Sequence, residues 1–401
     1  MHNKGSKKIL TVFYRHHPGG ICKRLYLSIE GLLEQGYEVH TLSADPLRLE
    51  PRPGLVTHTL SLPLKDRKGF LFWLLFSFAA GFYLLYLSLK NSYRSILLVD
   101  PYYSVISKLA SFVSRTPILL ILRSIPSRND PLYRSPLRGG MSYILGRGGL
   151  SLANDIVSPT NTMHLCLKEM SLSLGKKAVV SPVPVIFPEE LRALQTKQVD
   201  DCRLPAEFGE WEKEFLQRKR HVMELYDIPK DSLVMITSGE LTERKNVELI
   251  IQAINASEDS SLALIVSGEG SEKRRLETLM AGYGLREQIV LDGWLDNFTE
   301  IIGGCDLFVM PSKYEGISNS MLEALGAGVG VLAADTEEMR EVLDYDELLF
   351  DPNHTDKFAK RLIDLSSSRD KLNAVRNLSR QRAAKLSFNW GESISGILDK
   401  I

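Results

Sequence analysis

Two carboxylates, Glu315 and Glu323, stand eight residues apart in the stretch Lys-Tyr-Glu-Gly-Ile-Ser-Asn-Ser-Met-Leu-Glu-Ala-Leu-Gly, residues 313–326. Glu315 precedes a glycine in a short polar loop that follows the apolar run Leu307–Met310, and Glu323 lies on a helix expected to begin near Ser318. A path of loop and then helix brings the two closer than the ~12 Å that eight helical residues rise. Both can then face one elongated polar ligand, with the backbone N–H groups of residues 316–320 between them. A helix N-terminus attracts anions, phosphate above all. Carboxylates beside such a site are suited to accept hydrogen bonds from hydroxyls, as on a sugar and a ribose. The arrangement points to a nucleotide-sugar site. Two glutamates on a solvated helix face are the plainer alternative. That alternative leaves unexplained the buried-type strand before them and the Ala-Leu-Gly-Ala-Gly run after them.

Three further motifs each follow an apolar run. In Ser238-Gly239-Glu240-Leu241-Thr242-Glu243-Arg244-Lys245-Asn246, Lys245 sits close to a helix start, where a cation neutralises a diphosphate. Arg244 and Lys245 would otherwise be ordinary surface charges. Ser267-Gly268-Glu269-Gly270-Ser271 is a strand-end glycine turn whose last serine can cap the next helix, and that local role accounts for it fully. In His16-His17-Pro18-Gly19-Gly20, paired glycines let the backbone approach a ligand closely, or simply make a strand-to-helix turn. Asp344-Tyr345-Asp346 mimics an Asp-x-Asp metal motif, but short acidic pairs arise by chance and no metal or cofactor is expected.

The elements that must hold these motifs form two alternating series. Strands are expected at Ile9–Tyr14, Glu38–Ser43, Ile96–Val99, Pro117–Leu122, Asp155–Ser158 and Ala178–Val183, with a helix over Ile21–Gln35. The pattern restarts with strands at Leu233–Ser238, Leu262–Ser267, Ile289–Asp292, Leu307–Met310 and Gly330–Ala334. Helices are expected at Asn246–Ala256, Glu272–Tyr283 and Ser318–Gly326. Such alternation implies α/β architecture with two Rossmann-like domains, parallel sheets and ligands at the carboxyl ends of the strands, in the cleft between the two. The boundary falls near the proline-rich stretch Ser181–Pro188. The expected division is 1–185 for an acceptor-binding domain, 186–222 for a charged linker or insert, and 223–387 for a donor-binding domain.

Composition agrees with a soluble two-domain protein. A length of 401 residues exceeds what one core usually supports, and 44% hydrophobic with 24% charged residues is ordinary. Forty-nine basic and 49 acidic residues leave no global charge for nucleic acid to recognise. Cys22, Cys166, Cys202 and Cys305 show no metal-ligand spacing and suit a reduced cytosolic setting. The basic N-terminus runs straight into a strand, which leaves no room for a secretory signal peptide.

The order Gly-Glu-Leu-Thr-Glu-Arg-Lys-Asn, Ser-Gly-Glu-Gly-Ser, Asp-Gly-Trp-Leu-Asp and Glu-Gly-Ile-Ser-Asn-Ser-Met-Leu-Glu-Ala resembles the GT-B glycosyltransferases of family 4, which are retaining and nucleotide-sugar-dependent. The likeness is strong in the second half and weak in the first. Ser387-Phe388-Asn389-Trp390 and the helix after it resemble that family's C-terminal segment, implying that 388–401 crosses back onto the first domain. The resemblance implies that Glu315 contacts donor-sugar hydroxyls and that Glu323 binds the ribose. It implies that Gly316, Ile317, Ser318 and Asn319 offer amides to the diphosphate, which Lys245 also holds, and that Gly19 and Gly20 let the first domain close on the donor. Where the family usually has arginine after the glycine of the second motif, this chain has Glu240; either Arg244 supplies the missing charge or phosphate binding is weaker. Gly328-Val329-Gly330-Val331 and Pro182-Val183-Pro184-Val185 also depart from the family pattern.

Catalysis would then rest on stabilising the departing diphosphate through Lys245, Arg244 and the helix N-terminus, with the leaving phosphate taking the acceptor proton. On the acceptor side the candidates are Asp100, after Ile96–Val99, and Arg123, after the next strand. Asp100 either orients the acceptor hydroxyl or caps a helix before Pro101. His16 and His17 are weaker candidates.

The segment Phe70–Leu89 carries no charge over 20 residues, long enough to span a bilayer. Strands of one sheet before and after it argue against spanning. Lys65, Arg67 and Lys68 precede it and Lys90 and Arg94 follow, so the flanks set no orientation. It is either a crossover helix buried on the sheet or one that also touches the membrane. The basic residues Arg123, Arg128, Arg134, Arg138 and Arg147 favour the second. The reading is a peripheral glycosyltransferase at the cytoplasmic membrane face, acting on a lipid or lipid-linked glycan. The rivals are a nucleotide-sugar epimerase of the same fold and a non-catalytic membrane-associated partner.

Overall fold

A computed structural model describes residues 6–16, 20–62, 70–125, 138–185, 208–295 and 297–400. The chain divides into two compact units, Met1–Val183 with Asn389–Ile401, and Pro184–Phe388.

The first unit is built on β1 (Lys8–Val12), β2 (Glu38–Ser43), β3 (Leu55–Thr59), β4 (Ser95–Leu98), β5 (Ile118–Ile121), β6 (Asp155–Ser158) and β7 (Ala178–Val180). All pair in parallel, in the order β3-β2-β1-β4-β5-β6-β7. Its helices are α1 (Gly20–Glu34), α2 (Phe70–Lys90), α3 (Pro101–Ser114), α4 (Arg138–Leu152), α5 (Asn161–Met170) and α6 (Leu172–Lys177). The central strands read as unbroken apolar runs because both sheet faces are covered; every residue of β4 and β5 is buried. From β1 the chain first moves to β2 and later, through α2, crosses to β4 on the other side. Right-handed crossovers therefore put α1 on one face and α2, α3 and α4 on the opposite one. There α3 packs between α2 and α4. The segment Phe70–Leu89 is thus a crossover helix, held to the sheet by Phe72, Phe76, Ala80, Leu84 and Leu87, all buried.

The second unit contains β8 (Leu233–Ser238), β9 (Leu262–Ser267), β10 (Ile289–Gly293), β11 (Leu307–Met310), β12 (Gly330–Ala334) and β13 (Leu349–Phe350). They too are parallel, in the order β10-β9-β8-β11-β12-β13. The helices are α7 (Phe208–Leu225), α8 (Val247–Ser257), α9 (Lys273–Tyr283), α10 (Phe298–Ile302), α11 (Asn319–Gly326), α12 (Glu337–Leu343), α13 (Thr355–Ser367) and α14 (Arg369–Lys385). The last part of the expected linker or insert over 186–222 is helical and groups with the second unit, because α7 buries Phe215, Val222 and Met223, an i, i+7, i+8 stripe, against that unit's core. Asp306 then pins α7 and α14 to the sheet. Its Oδ2 accepts from Lys219 Nζ at 2.6 Å and from the Val234 N–H at 2.8 Å, and its Oδ1 accepts from Arg376 Nη2 at 2.5 Å.

The last helix, α15 (Trp390–Lys400), belongs to the first unit and lies on α1. Gly31 and Gly391 make this approach possible: a Cβ on Gly391 would stand 2.2 Å from the Gly31 carbonyl oxygen. Trp390 Nε1 donates to Ser28 Oγ at 3.0 Å, and Arg94 Nη2 donates to the Leu398 carbonyl at 2.5 Å.

Candidate active site

In each sheet the strand order reverses once, between β1 and β4 and between β8 and β11. Open parallel sheets bind ligands at the carboxyl edge beside such a reversal. In the second unit the two segments leaving that edge are Gly239–Asn246, after β8, and Pro311–Ser318, after β11. The candidate donor residues of this unit are all on these segments or on the helix that comes next.

Glu315 is the hub. Its Oε1 receives Arg244 Nη1 at 2.6 Å and its Oε2 receives Lys245 Nζ at 2.5 Å. Ser312 Oγ is 3.4 Å from Oε2, and the Lys313 N–H donates to the Arg244 carbonyl at 2.9 Å, tying the two segments together. Burial opposes ionisation of Glu315, but the charges of Lys245 and Arg244 and their hydrogen bonds outweigh it and hold the carboxyl at about 2. Two cations on one carboxylate leave the cluster with a net positive charge, which suits an incoming diphosphate. Lys245 is delivered by a 3-10 turn, Glu243–Lys245, followed by Asn246 in the left-handed region at φ 53°, rather than by the first turn of α8. Lys245 lies over Gly239, whose φ of 145° is a backbone conformation that residues other than glycine rarely adopt.

The Ser267–Ser271 turn has a packing role. A Cβ on Gly268 would stand 1.9 Å from the Gly239 carbonyl oxygen, so the two strand-end loops run backbone against backbone. The Leu241 N–H donates to the Glu269 carbonyl at 2.9 Å. Ser271 does not cap α9, whose N-cap is Glu272 with no side-chain capping bond. Glu240 is exposed.

Ser318 caps α11, its Oγ accepting from the Met321 N–H at 3.3 Å. Ile317, Ser318, Asn319 and Glu323 are all buried, Glu323 to 2% exposure. Glu315 and Glu323 therefore play different parts, one in an ion cluster on the loop and the other within the helix packing. Gly316 joins them, between the hub and the cap.

At the carboxyl edge of the first unit, Asp100 caps α3: its Oδ1 accepts from the Tyr102 N–H at 2.9 Å, with Pro101 at the first helical position. Burial pushes its carboxyl up, against the pull of the Tyr102 N–H and of Arg123. Arg123 also acts on Arg24, a buried guanidinium on α1 lowered to about 9 by burial first and by Arg123 second. An aromatic group at this edge carries no motif that sequence reasoning could find. Tyr14, at the end of β1, lies 4.7 Å from Trp73 of α2, which lies 5.5 Å from Tyr102 of α3. These rings come from three separate elements, and only the strand order assembles them. His16 is engaged by Tyr26, Nδ1 to hydroxyl at 2.8 Å. Gly19 and His17, like Arg128 and Arg134, lie outside the described residues, and Gly20 is the first residue of α1. Asp344 and Asp346 go to different cations: Asp344 pairs with Arg382 at 3.3 Å and Asp346 with Arg340 at 2.6 Å.

Residues 219–382 match the family model described as glycosyl transferases group 1. Among curated proteins, the O-antigen biosynthesis glycosyltransferase WclY of Escherichia coli is 29% identical over 126 residues, 31% of this chain and 35% of WclY. The matched stretch thus spans about a third of that relative's own length. Among solved structures, Anabaena HepE in complex with UDP-glucose superposes with a TM-score of 0.73 at 14% identity, covering 98% of this chain and all of HepE (100%). WaaG, a glycosyltransferase involved in lipopolysaccharide biosynthesis, gives 0.69 at 14% identity, with 97% and 99% covered. The chain has the GT-B fold of two Rossmann-like units, and much of its second unit matches the group 1 glycosyl transferase model.

Proposed function

We propose that the protein is a retaining glycosyltransferase of polysaccharide or glycolipid biosynthesis. It moves a sugar from a nucleotide-sugar donor to a lipid or lipid-linked glycan at the cytoplasmic face of the membrane. The observation that carries this reading is the Arg244–Glu315–Lys245 cluster at the strand-order reversal of the unit that matches the group 1 glycosyl transferase model. The relatives support it: HepE was crystallised with UDP-glucose, and WclY acts in O-antigen biosynthesis.

In this mechanism the diphosphate of the donor lies against Lys245 and Arg244, with the amides of Gly316 to Asn319 at the start of α11. Glu315 keeps the two cations oriented and accepts a hydroxyl of the donor sugar, while Glu323 takes the ribose hydroxyls. As the bond from the anomeric carbon to the phosphate oxygen breaks, charge grows on the diphosphate, where the cations already stand. The phosphate oxygen takes the acceptor proton. On the first unit, Asp100 orients the acceptor hydroxyl and Arg123 holds an anionic group of the acceptor. The chemistry calls for no metal.

The test is incubation of the purified protein with UDP- and GDP-sugars, with and without membrane lipid extract. Nucleoside diphosphate released only when lipid is present supports transfer. Epimerised donor without release overturns it in favour of an isomerase. Full activity in both Lys245→Ala and Glu323→Ala would overturn the site assignment.

A further inference from the structure

α2 is apolar on both of its sides. The inward stripe packs on the sheet, while Leu71, Leu75, Phe78, Phe82, Tyr86 and Leu89 recur at spacings of three and four along the outside and are exposed. Less than half of this helix is buried. A crossover helix of a soluble protein turns a polar side to water; this one does not. Its neighbour α3 has the same inversion. Ser104, Ser107 and Ser111 are buried, whereas Leu109, Phe112 and Val113 are exposed, Phe112 to 77%. Beyond it, α4 adds the exposed Ile144. Because α3 packs between α2 and α4, these side chains share one face of the first unit.

The charge on these three helices has one sign. None of the three helices contains an Asp or Glu, while Lys90, Lys108 and Arg147 lie on them and Arg115 ends α3. Apolar and aromatic side chains on helices whose charged residues are all bases match an anionic lipid surface, with acyl chains below and phosphates above. A second copy of the chain fits less well, since a symmetric contact would set these bases against each other. The buried stripe holds α2 along the sheet, so it lies in the plane of the interface and does not cross it.

We propose that the α2–α3–α4 face is a docking surface for anionic membrane, with the outer side chains of α2 and α3 seated below the headgroups. This deepens the membrane reading of the proposed function and rests on it for its purpose, though not for its geometry. The surface extends well beyond the apolar segment itself and places Phe112 among the main anchors.

The experiment is co-sedimentation of the full chain with phosphatidylcholine vesicles, with and without phosphatidylglycerol. Phe82→Asp, Phe112→Asp and, as a control on α13 of the second unit, Ile363→Asp are carried through in parallel. Wild type and Ile363→Asp are expected to bind the anionic vesicles, and Phe82→Asp and Phe112→Asp to lose about tenfold or more of that binding. All three positions are on the surface, so thermal unfolding should remain that of wild type. Binding of UDP in solution, a property of the second unit, should be unchanged in every variant. Wild type that ignores anionic vesicles overturns the docking surface, as do Phe82→Asp and Phe112→Asp variants that bind like wild type. So does a lipid-free dimer that Phe112→Asp dissociates, which would assign the face to self-association. Transfer to a soluble acceptor without vesicle binding would overturn this inference and leave the glycosyltransferase reading standing. Vesicle binding without any transfer would do the reverse.

Discussion

Glu315 is ionised across the whole physiological range because two cations hold it so. Its ordinary value of 4.5 falls to about 2 in the folded chain. Above pH 4.5 the group is charged in both folded and unfolded states, and its full contribution to stability is present. As pH drops from about 4.5 towards 2, the unfolded chain takes up the proton first and that contribution is lost, up to about 3 kcal/mol. Glu315→Gln should therefore flatten this part of the stability curve, measured by urea unfolding at stepped pH; a curve that keeps the wild-type slope would show that the ion cluster does not form. Lys245→Ala removes one of two cations from the proposed diphosphate site. A charge-assisted bond contributes about 1.5–3 kcal/mol, so UDP affinity should fall about 10- to 100-fold by calorimetry, and folding should weaken as well because Glu315 loses one of its two partners. Glu315 and Lys245 were legible in the sequence because each stands in a short motif after a strand. Their pairing was not, since it spans 70 residues and is set by the reversal between β8 and β11.

Among the elements, the interior strands were the most legible. Glu38–Ser43, Asp155–Ser158, Leu233–Ser238, Leu262–Ser267, Leu307–Met310 and Gly330–Ala334 have the bounds their apolar runs suggest, since burial on both faces requires such runs. The edge strand β3, Leu-Val-Thr-His-Thr, is half exposed and carries no such signal. α7 was obscured by its charges, which cover all but a narrow apolar stripe. Its anchoring through Asp306 gives a prediction at this scale. Asp306→Ala strands Lys219 and Arg376, exposed to only 18% and 8%, without their carboxylate. The loss should be about 3–5 kcal/mol by denaturant titration, and a change within about 0.5 kcal/mol would mean the cluster is dispensable.

For the whole molecule, the chain passes from the first unit to the second after Val183 and returns after Phe388. The return was legible in Ser387–Trp390, whereas the close contact of Gly31 with Gly391 depends on backbone geometry that no residue pattern encodes. Each unit has its own sheet and its own buried core, so heating should give two transitions. The cation cluster and its helix lie wholly in the second unit. UDP at about a hundred times its dissociation constant should then stabilise that unit's transition alone, by about 2.7 kcal/mol. Gly391→Val puts a side chain where a Cβ already stands 2.2 Å from the Gly31 carbonyl oxygen, so it should lower only the other transition. Asp306→Ala should lower the one that UDP raises. Scanning calorimetry of wild type and both variants, with and without UDP, reads all of these together. A single transition moved by all three changes would show that the units unfold as one body, and a UDP shift in the transition that Gly391→Val lowers would place the nucleotide on the first unit.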